Sequence, residues 1–329
     1  MSKMSIPLLE LLADGHFHSG ETIGGLLGVS RTAVWKQLQK MSAIGLSIES
    51  VRGRGYRLPG GLELLSGSLI KQALTPATVS DLYGIDVLLQ TESTNAVAMA
   101  HAVAHGVGGY ACFAEYQSAG RGRRGRSWVS PFGQNLYFSL TWQFDDGAAS
   151  LEGLSLAVGV CVARVLKRLG LERVSLKWPN DILVEGCKLG GVLLEMTGDP
   201  SGRCQVVVGV GLNVFMSDGS AHGIEQPWTS LDAHLKPAGY SRNQLAAELL
   251  NELLPMLSCF SEAGFVDYQQ EWSLLDGYRH CLVSLQSGNQ QYVGVAQGVT
   301  ANGALRLLVD GVEREFYGGE VSLRLADDS

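Results

Sequence analysis

The hydrophobic pattern changes twice along this chain of 329 residues, and these changes are the strongest constraint on its fold. Residues 63–275 alternate strand-like runs with runs of helical period, which predicts an α/β (α+β) domain built on one substantial sheet. Short helical stripes precede this stretch, and only glycine-punctuated strands follow it. At roughly 100–200 residues per domain, two or three domains are expected. We predict domains at 1–62, 63–275 and 276–329.

The central segment carries the clearest individual elements. Its predicted strands and helices differ in period, two residues for the former and 3.6 for the latter. The predicted strands are 87–90, 110–116, 135–142, 174–178, 188–195 and 205–210, and the predicted helices are 94–105, 155–169 and 244–259. The last segment predicts a small β-barrel, with strands at 280–286, 291–300, 304–309, 312–317 and 321–325.

The N-terminal segment predicts a helix-turn-helix followed by a wing. One apolar stripe stops at Gly28, and Ser30 can cap a further helix in which Val34 and Leu38 lie on one face. Two helices joined by a tight glycine-containing turn are typical of a helix-turn-helix. Short extended pieces then surround the loop Arg-Gly-Arg-Gly at 52–55, which is typical of a β-hairpin tip.

Basic charge is concentrated in this same segment. Residues 1–60 carry seven basic and four acidic side chains, whereas the rest of the chain carries 18 and 28, so the net charges are +3 and −10. We therefore predict that the segment binds duplex DNA, the alternative being a solvated turn on a protein-interaction module. The sequence leaves open whether Trp35 packs against the wing or is exposed. The predicted DNA contacts are Arg31, Thr32, Lys36, Lys40, Arg52 and Arg54.

Several other classes of protein are excluded by composition. The six cysteines lie far apart without a CxxC pair, which favours free buried thiols over a zinc or redox motif. His101 and His105 have helical spacing for a metal but lack a third ligand. The N-terminus has no long apolar region before Glu10, and the uncharged stretch 93–114 contains polar residues and paired glycines. We expect no signal peptide, no membrane span and a cytoplasmic location.

The sequence GRGRRGR at 120–126, called here the arginine loop, is the most unusual stretch. It satisfies the GxGxxG dinucleotide pattern, but residues 127–133 lead to another extended run rather than to a helix, which argues against a Rossmann turn. Four arginines among three glycines favour a cationic loop that closes over a phosphorylated ligand. The alternative is a basic nucleic-acid-binding run.

Three further motifs offer matching chemistry. Residues 177–181, Lys-Trp-Pro-Asn-Asp, combine a cation, an aromatic ring and a carboxylate, and Asp181 is the candidate ligand for Mg²⁺ beside a nucleotide. Lys188 precedes two glycines that allow close approach of a ligand, although alone it predicts a surface lysine. Residues 92–95, Glu-Ser-Thr-Asn, predict either an ordinary helix cap or a polar wall for an amide-bearing or ureido ligand.

The order of these motifs resembles biotin-protein ligases. The resemblance also includes Glu-Tyr-Gln-Ser-Ala at 115–119 and Gly-Val-Gly-Leu-Asn at 209–213. With the helix-turn-helix and wing in front, the whole chain is similar to the bifunctional family of biotin operon repressors and biotin-[acetyl-CoA carboxylase] ligases. This resemblance implies a central mixed-sheet domain like that of class II aminoacyl-tRNA synthetases and a C-terminal SH3-like small β-barrel.

The resemblance also implies an activity. Biotin and ATP would give biotinyl-5'-AMP with Mg²⁺, and a lysine of the biotin carboxyl carrier protein would then attack the mixed anhydride. Alignment and charge stabilisation suffice for both steps, because the substrates supply the nucleophiles. The adenylate would act as corepressor, promote a homodimer and favour binding to operator DNA of biotin biosynthesis genes.

The family's functional residues map onto this sequence by their motifs. The implied catalytic residues are Lys188, Arg123 and Lys177. The implied biotin contacts are Ser93, Thr94, Asn95, Gln117, Arg121, Gly122, Arg123 and Lys188. The implied adenylate contacts are Arg123, Arg124, Asn180, Asn213 and Trp228, and the implied metal ligand is Asp181.

Two other functions compete with this one. A lipoate or octanoyl transferase shares the related fold, but the arginine loop and residues 177–181 favour biotin. A ligand-sensing repressor without catalysis would share the N-terminal segment, but Lys188 and Arg123 argue against a pure sensor.

Overall fold

The computed structural model describes residues 6–199, 201–236, 240–318 and 321–326. Its N-terminal unit is a helix-turn-helix with a β-hairpin, as predicted. Gly28 ends the second helix in the left-handed conformation, and the Ser30 hydroxyl caps the third by accepting a hydrogen bond from the Ala33 amide at 3.3 Å. The elements are α1 (Ile6–Leu12), α2 (Gly20–Leu27), α3 (Arg31–Ala43), β1 (Glu49–Val51) and β2 (Gly55–Arg57). The wing is defined here as residues 49–57.

A mixed seven-stranded sheet forms the centre of the molecule, with strand order β3-β4-β5-β9-β8-β7-β6. The β3–β4 pair is parallel and the other pairs are antiparallel. The strands are β3 (Gly84–Leu88), β4 (Tyr110–Ala114), β5 (Leu136–Phe144), β6 (Val174–Lys177), β7 (Asp181–Val184), β8 (Cys187–Gly198) and β9 (Cys204–Leu212).

The two faces of this sheet are covered by different helices. On β9, Val206, Val208 and Val210 join the main core with α7 and α8, whereas Val207 joins a smaller cluster under α6. The alternation follows from the two-residue period of a strand. The helices are α4 (Gly67–Gln72), α5 (Pro76–Asp81), α6 (Thr94–His105), α7 (Leu154–Arg168), α8 (Arg242–Ala263) and α9 (Val266–Leu275).

Most predicted elements are confirmed, and α6 begins and ends at the predicted residues. Four elements were not predicted: α4, α5, α9 and β7. The helices α4 and α5 have six residues each, too few to show a period. Strand β7 has four residues, also too few to show a period, and it begins at the last residue of the motif at 177–181.

The C-terminal unit is all β within the described residues. Its five strands have the order β13-β12-β11-β10-β14, and each pairing is antiparallel. Val283, Leu285 and Leu307 belong to the same core as the central sheet, so this unit packs directly against it. The strands are β10 (Leu282–Ser287), β11 (Gln290–Val299), β12 (Leu305–Val309), β13 (Val312–Phe316) and β14 (Val321–Leu325).

The cysteines are unpaired, and although Cys112, Cys161 and Cys204 are buried as expected, Cys259 is exposed. Among the described helices, none combines the length and apolar character required to cross a membrane.

A buried ion pair anchors the segment that joins the N-terminal unit to the sheet. Arg242, at the start of α8, and Glu115, after β4, are both fully buried and form an ion pair at 2.8 Å. The second Glu115 oxygen accepts a hydrogen bond from the Leu65 amide at 2.5 Å, and Arg242 also donates to the Glu63 carbonyl. Both charges are therefore compensated, as burial requires.

Phe132 connects the N-terminal unit to the central domain. Its ring is fully buried in the apolar cluster of α1, α2 and α3, although the residue belongs to the segment before β5. The Phe132 amide donates to the Ile44 carbonyl at 3.3 Å, and the Gln134 side chain donates to the Gly45 carbonyl at 3.4 Å. One aromatic side chain of the central domain thus completes the core of the N-terminal unit.

This arrangement predicts a large loss of stability on truncation of Phe132. Phe132→Ala should lower the free energy of unfolding by about 3–5 kcal/mol, because it removes buried apolar surface and leaves a cavity. Chemical denaturation followed by circular dichroism measures this change. Val103→Ala is the control, since Val103 is 68% exposed and should change stability by less than about 0.5 kcal/mol. Equal effects of the two substitutions would contradict the packing described.

Candidate active site

A cavity of about 890 Å³ opens on the α6 side of the central sheet. Its wall includes strands β8 and β9, the arginine loop, the segment 223–228 and part of the C-terminal unit. Every residue that the sequence assigned to biotin, the adenylate, catalysis or a metal lines this cavity. These residues are Ser93, Thr94, Asn95, Gln117, Arg121, Gly122, Arg123, Arg124, Lys177, Asn180, Asp181, Lys188, Asn213 and Trp228.

Two glycines of β9 form the floor of the cavity. A Cβ atom on Gly209 would lie 2.1 Å from Asn95 Oδ1, and one on Gly211 would lie 2.7 Å from the Trp128 ring. Both positions share the face of β9 that carries Val207, since the strand alternates with a period of two. Only glycine lets these polar and aromatic side chains lie directly on the strand backbone.

The start of α6 forms a polar wall rather than an ordinary helix cap. Ser93 occupies the cap position, but its side chain makes no capping hydrogen bond. The Gln117 Oε1 atom instead accepts hydrogen bonds from the Thr94 amide at 2.9 Å and the Thr94 hydroxyl at 3.2 Å. Ser139 Oγ lies 2.8 Å from Thr94 Oγ1 and 2.5 Å from Asn95 Oδ1. The hydroxyls and amides are thereby held in fixed orientations.

Glu195 joins this wall to the arginine loop. Its Oε2 atom accepts hydrogen bonds from Asn95 Nδ2 at 2.7 Å and from Arg121 at 3.0 Å. The sequence reasoning missed both Glu195 and Ser139. A usable signal was present, because each is a polar residue inside a predicted apolar strand.

The arginine loop is closed by its own backbone hydrogen bonds. The Gly122 amide donates to the Arg126 carbonyl at 2.7 Å, and the Trp128 amide donates to the Gly120 carbonyl at 2.9 Å. Arg123 donates to Asn180 Oδ1 at 3.3 Å, and burial lowers the pKa of its guanidinium. The loop therefore carries Arg123 into the cavity, while Arg124 remains exposed.

Asp181 lies between two lysines at the beginning of β7. Its Oδ1 atom is 2.5 Å from Lys188 Nζ, and its Oδ2 atom is 3.9 Å from Lys177 Nζ. Burial lowers the pKa of Lys177, and the negative charge of Asp181 opposes this shift. The three side chains are each 15–17% exposed, so their charges interact in a partly dehydrated setting.

The placement of Asp181 does not fit its predicted role as a magnesium ligand. The carboxylate is already paired with Lys188 and faces Lys177, so a divalent cation would have to displace an ammonium group. Within the described ranges, histidine, cysteine and carboxylate side chains form no group of three or more suited to a metal ion. Asp181 is better described as the counterion that positions the two lysines.

Trp228 and Asn213 are held at the rim by backbone pairing. The Lys188 amide donates to the Pro227 carbonyl and the Thr229 amide donates to the Lys188 carbonyl, each at 2.9 Å. Asn213 Nδ2 donates to the Thr229 carbonyl at 3.0 Å. The half-buried Trp228 therefore lies beside Lys188, with which its backbone forms an isolated β-bridge.

The C-terminal unit contributes to the cavity, which the sequence did not indicate. Tyr278 lies with its ring 5.3 Å from Lys177 Nζ, and Arg324 lines the opening. Trp178, which we had interpreted as part of a nucleotide-holding motif, is instead 2% exposed and donates to the Gly303 carbonyl at 3.0 Å. Its indole joins the central sheet to the C-terminal unit.

Chemically, the cavity combines two kinds of surface. The wall from α6 and Gln117 offers fixed hydrogen-bonding groups, whereas Lys177, Lys188 and Arg123 supply positive charge beside one carboxylate. Such an arrangement suits a ligand with amide-like groups at one end and a phosphate or carboxylate at the other.

A second candidate surface lies on the N-terminal unit. The predicted DNA contacts on α3 and in the wing are exposed: Arg31, Thr32, Lys36, Lys40, Arg52 and Arg54. The Arg54 guanidinium stacks 4.1 Å from the centre of the Phe17 ring, and that of Arg57 stacks at 4.5 Å. Phe17 thus restricts the arginines of the wing, a role that the sequence did not indicate.

Comparison with known proteins agrees with this geometry. The model of the biotin/lipoate A/B protein ligase family matches residues 88–213, that of an HTH domain matches 7–57, and that of the biotin protein ligase C-terminal domain matches 282–324. The chain is 40% identical over 324 residues to the bifunctional ligase/repressor BirA of Escherichia coli, covering 98% of both proteins. The chain belongs to the biotin protein ligase family.

Other members of the family extend the likeness. The bifunctional ligase/repressor BirA of Bacillus subtilis is 30% identical, with 96% of this chain and 97% of that protein covered. The biotin protein ligase from Aquifex aeolicus, solved in complex with biotin and ATP, is 26% identical with a TM-score of 0.62 and covers 74% of this chain and all of that one.

The position of Asp181 beside Lys177 leads to a prediction about the pKa of that lysine. In Asp181→Asn the pKa of Lys177 should fall further, because the negative charge of Asp181, which raises it, is removed while burial is retained. NMR titration of lysine ¹³Cε resonances measures the change. Glu185→Gln is the control, since Glu185 pairs with the exposed Arg173 instead. A Lys177 titration that is the same in both variants would refute the proposed coupling.

Proposed function

We propose that this chain is an ATP-dependent biotin-[acetyl-CoA-carboxylase] ligase that also represses transcription of biotin biosynthesis genes. It forms biotinyl-5'-AMP and transfers biotin to a lysine of the biotin carboxyl carrier protein of acetyl-CoA carboxylase. The observation that supports the ligase most directly is the convergence of the motifs at 93–95, 120–126, 177–181 and 188 on one cavity. The helix-turn-helix and wing support the repressor.

In the first step, a biotin carboxylate oxygen attacks the α-phosphate of ATP, and the bond to pyrophosphate breaks. Lys188 and Lys177 stabilise the negative charge that the carboxylate and phosphate bring together. Their fixed positions beside Asp181 reduce the reorganisation that the step requires. Gln117, Thr94 and the α6 wall orient the ureido end of biotin.

In the second step, the amine of the carrier lysine attacks the carboxyl carbon, the bond from that carbon to the phosphate oxygen breaks so that AMP leaves, and the amine proton passes to solvent. Arg123 holds the phosphate, so the reactive anhydride is retained until the amine arrives. Asn180, Asn213, Arg124 and Trp228 bind the adenylate, with the Trp228 ring stacked on adenine. Mg²⁺ would enter with ATP and offset the negative charge of its phosphates, whereas Asp181 is already paired with Lys188 and would not hold the ion.

Finer features of the fold belong to the same proposal. We assign the central unit, 63–275, to the class II aminoacyl-tRNA-synthetase-like folds, on the basis of its mixed sheet with helices on both faces. The C-terminal unit, 276–329, is an SH3-like small barrel, which its five-stranded antiparallel sheet supports. The DNA-binding unit is 1–62.

The repressor requires two further properties. The adenylate acts as corepressor by promoting a homodimer, because a phosphate bound to Arg123 would hold the arginine loop in one conformation. The dimer binds operator DNA in the cytoplasm, where the carrier protein also resides. Incubation with labelled biotin or lipoate, ATP and a carrier domain separates a biotin ligase from a lipoate transferase and from a sensor without catalysis.

Two substitutions should affect different steps of the reaction, one before and one after the adenylate forms. Lys188→Ala should fail to release pyrophosphate, whereas Arg123→Gly should form the adenylate but lose it early. Losing a charge-assisted hydrogen bond costs roughly 1.5–3 kcal/mol, or about ten- to a hundredfold in retention. The measurements are pyrophosphate release and biotinylation of a bystander protein.

Arg203→Gly provides the matched control, because Arg203 is exposed and pairs with Asp145 outside the cavity. It should behave like the wild type in both assays. Strict carrier specificity in Arg123→Gly, with an intermediate of unchanged lifetime, would show that Arg123 does not retain the adenylate.

DNA binding should depend strongly on salt. If each subunit neutralises four phosphates, log K should fall against log salt with a slope of about −3 to −4 per subunit. The probe is duplex DNA from the upstream region of biotin-synthesis genes. Lys36→Ala should make the slope less steep by about 0.9, whereas Lys71→Ala, on α4, should leave it unchanged. Salt-independent binding would count against the assignment.

A further inference from the structure

Trp35 is the large apolar side chain of α3 that does not contribute to the core. The core-facing positions are occupied by Val34, Leu38 and Met41, which are 0–2% exposed, whereas Trp35 is 51% exposed. A tryptophan side chain has an apolar surface of roughly 150–250 Å². Leaving about half of it in water is unfavourable unless another surface covers it.

The surroundings of Trp35 indicate the charge of that surface. Helix α3 contains no acidic residue, and Arg31, Lys36 and Lys40 are exposed along it. A Cβ atom on Gly20 would lie 3.7 Å from Arg31 Nε and 3.5 Å from the Tyr56 ring, so the Arg31 side of α3 adjoins the wing. Trp35 follows Arg31 by one helical turn and lies on the same side.

We infer that Trp35 reads bases in the major groove, by packing its indole against the C5-methyl groups of thymines in the operator. This inference rests on the proposed DNA-binding function and adds a specificity-determining residue to it. The thymine methyl is the apolar group that base pairs present in the major groove, so an indole in a basic helix finds its complement there. Lys36 and Lys40 would contact phosphates and contribute affinity without sequence information.

The charge around Trp35 favours DNA over a protein surface. A protein partner would have to bring enough acidic groups to face Arg31, Lys36 and Lys40 while covering the indole. A second copy of this chain would instead place one cationic α3 against another if the contact were symmetric, which like-charge repulsion disfavours. Duplex DNA supplies both the anionic backbone and the apolar methyl groups.

The test removes single methyl groups from the DNA. Duplexes bound by the full chain in the presence of biotin and ATP are first selected from a random library. Each thymine of the selected duplex is then replaced by deoxyuridine, which keeps the base pairing and removes only the C5-methyl. Fluorescence anisotropy at fixed salt gives the dissociation constant for each duplex.

For the wild type, replacement at one or two thymines should weaken binding about fourfold each. This factor corresponds to roughly 0.8 kcal/mol for one buried methyl group, with 1.4 kcal/mol equal to tenfold in affinity. In Trp35→Ala the affinity for the thymine duplex should fall at least fourfold, and the thymine-to-deoxyuridine ratio should drop to about one. Trp35→Phe should retain most of the discrimination, because it keeps an aromatic ring.

A second readout distinguishes an apolar contact from a general loss of binding. The salt slope of Trp35→Ala should equal that of the wild type, because no charge is removed. Ile6→Ala is the matched control: Ile6 is 49% exposed on α1 and should change neither the slope nor the ratio. Circular dichroism establishes that each variant is folded.

The inference is overturned if every deoxyuridine duplex binds the wild type as tightly as its thymine counterpart, or if Trp35→Ala keeps the wild-type ratio. It is also overturned if Trp35→Ala binds DNA normally but shifts the monomer–dimer equilibrium in sedimentation, since the indole would then serve contacts between copies. If the wild type selects no duplex at all, the proposed repressor function itself fails and the inference fails with it.

Discussion

The two faces of the central sheet have opposite chemistry, and this division fixes the position of nearly everything else. On one face, the valines of β9 pack with α7 and α8 in the main core. On the other, the same strand presents Gly209 and Gly211, where added Cβ atoms would overlap Asn95 and Trp128. Because a strand alternates its side chains, a single residue of register shift would place valine in the cavity and glycine in the core. The register that buries these valines in the core therefore also keeps glycine at the floor of the cavity.

Electrostatics then divides the cavity into two regions. The α6 wall is built from neutral hydrogen-bonding groups whose partners fix their orientation. The opposite region concentrates Lys177, Lys188 and Arg123 around Asp181. A carboxylate between lysines limits their mutual repulsion while leaving net positive charge for an anionic ligand. Orientation of the substrate and stabilisation of its charge are consequently assigned to different elements of one pocket.

The sequence predicted most of this fold because its elements are long and strongly patterned. Helix α6 and strand β8 have 12 residues each, and strands β5 and β9 have nine each. Short elements such as α4, with six residues, and β7, with four, were not predicted, since so few residues cannot establish a period. Motifs located the cavity residues, but they could not reveal which neighbours hold them. Asp181 was interpreted as a metal ligand because the sequence could not show its ion pair with Lys188. That ion pair connects adjacent strands of the folded sheet. Likewise, the motif around Trp178 suggested a ligand contact, whereas its indole joins the central sheet to the C-terminal unit.

The position of Phe132 has a consequence for how units of this kind are gained and lost. The ring fills the core of the N-terminal unit, yet the residue belongs to the segment between the arginine loop and β5. A fragment that begins at residue 63 would expose this phenyl group, together with the side chains of Leu64 and Tyr116 that pack around the same cluster. Such a fragment would carry a new apolar patch and a tendency to associate. A ligase that loses the N-terminal unit therefore needs a second change, a less apolar residue at position 132 or another surface that covers it. The two units thus depend on each other at a residue that lies far from the boundary between them in the sequence.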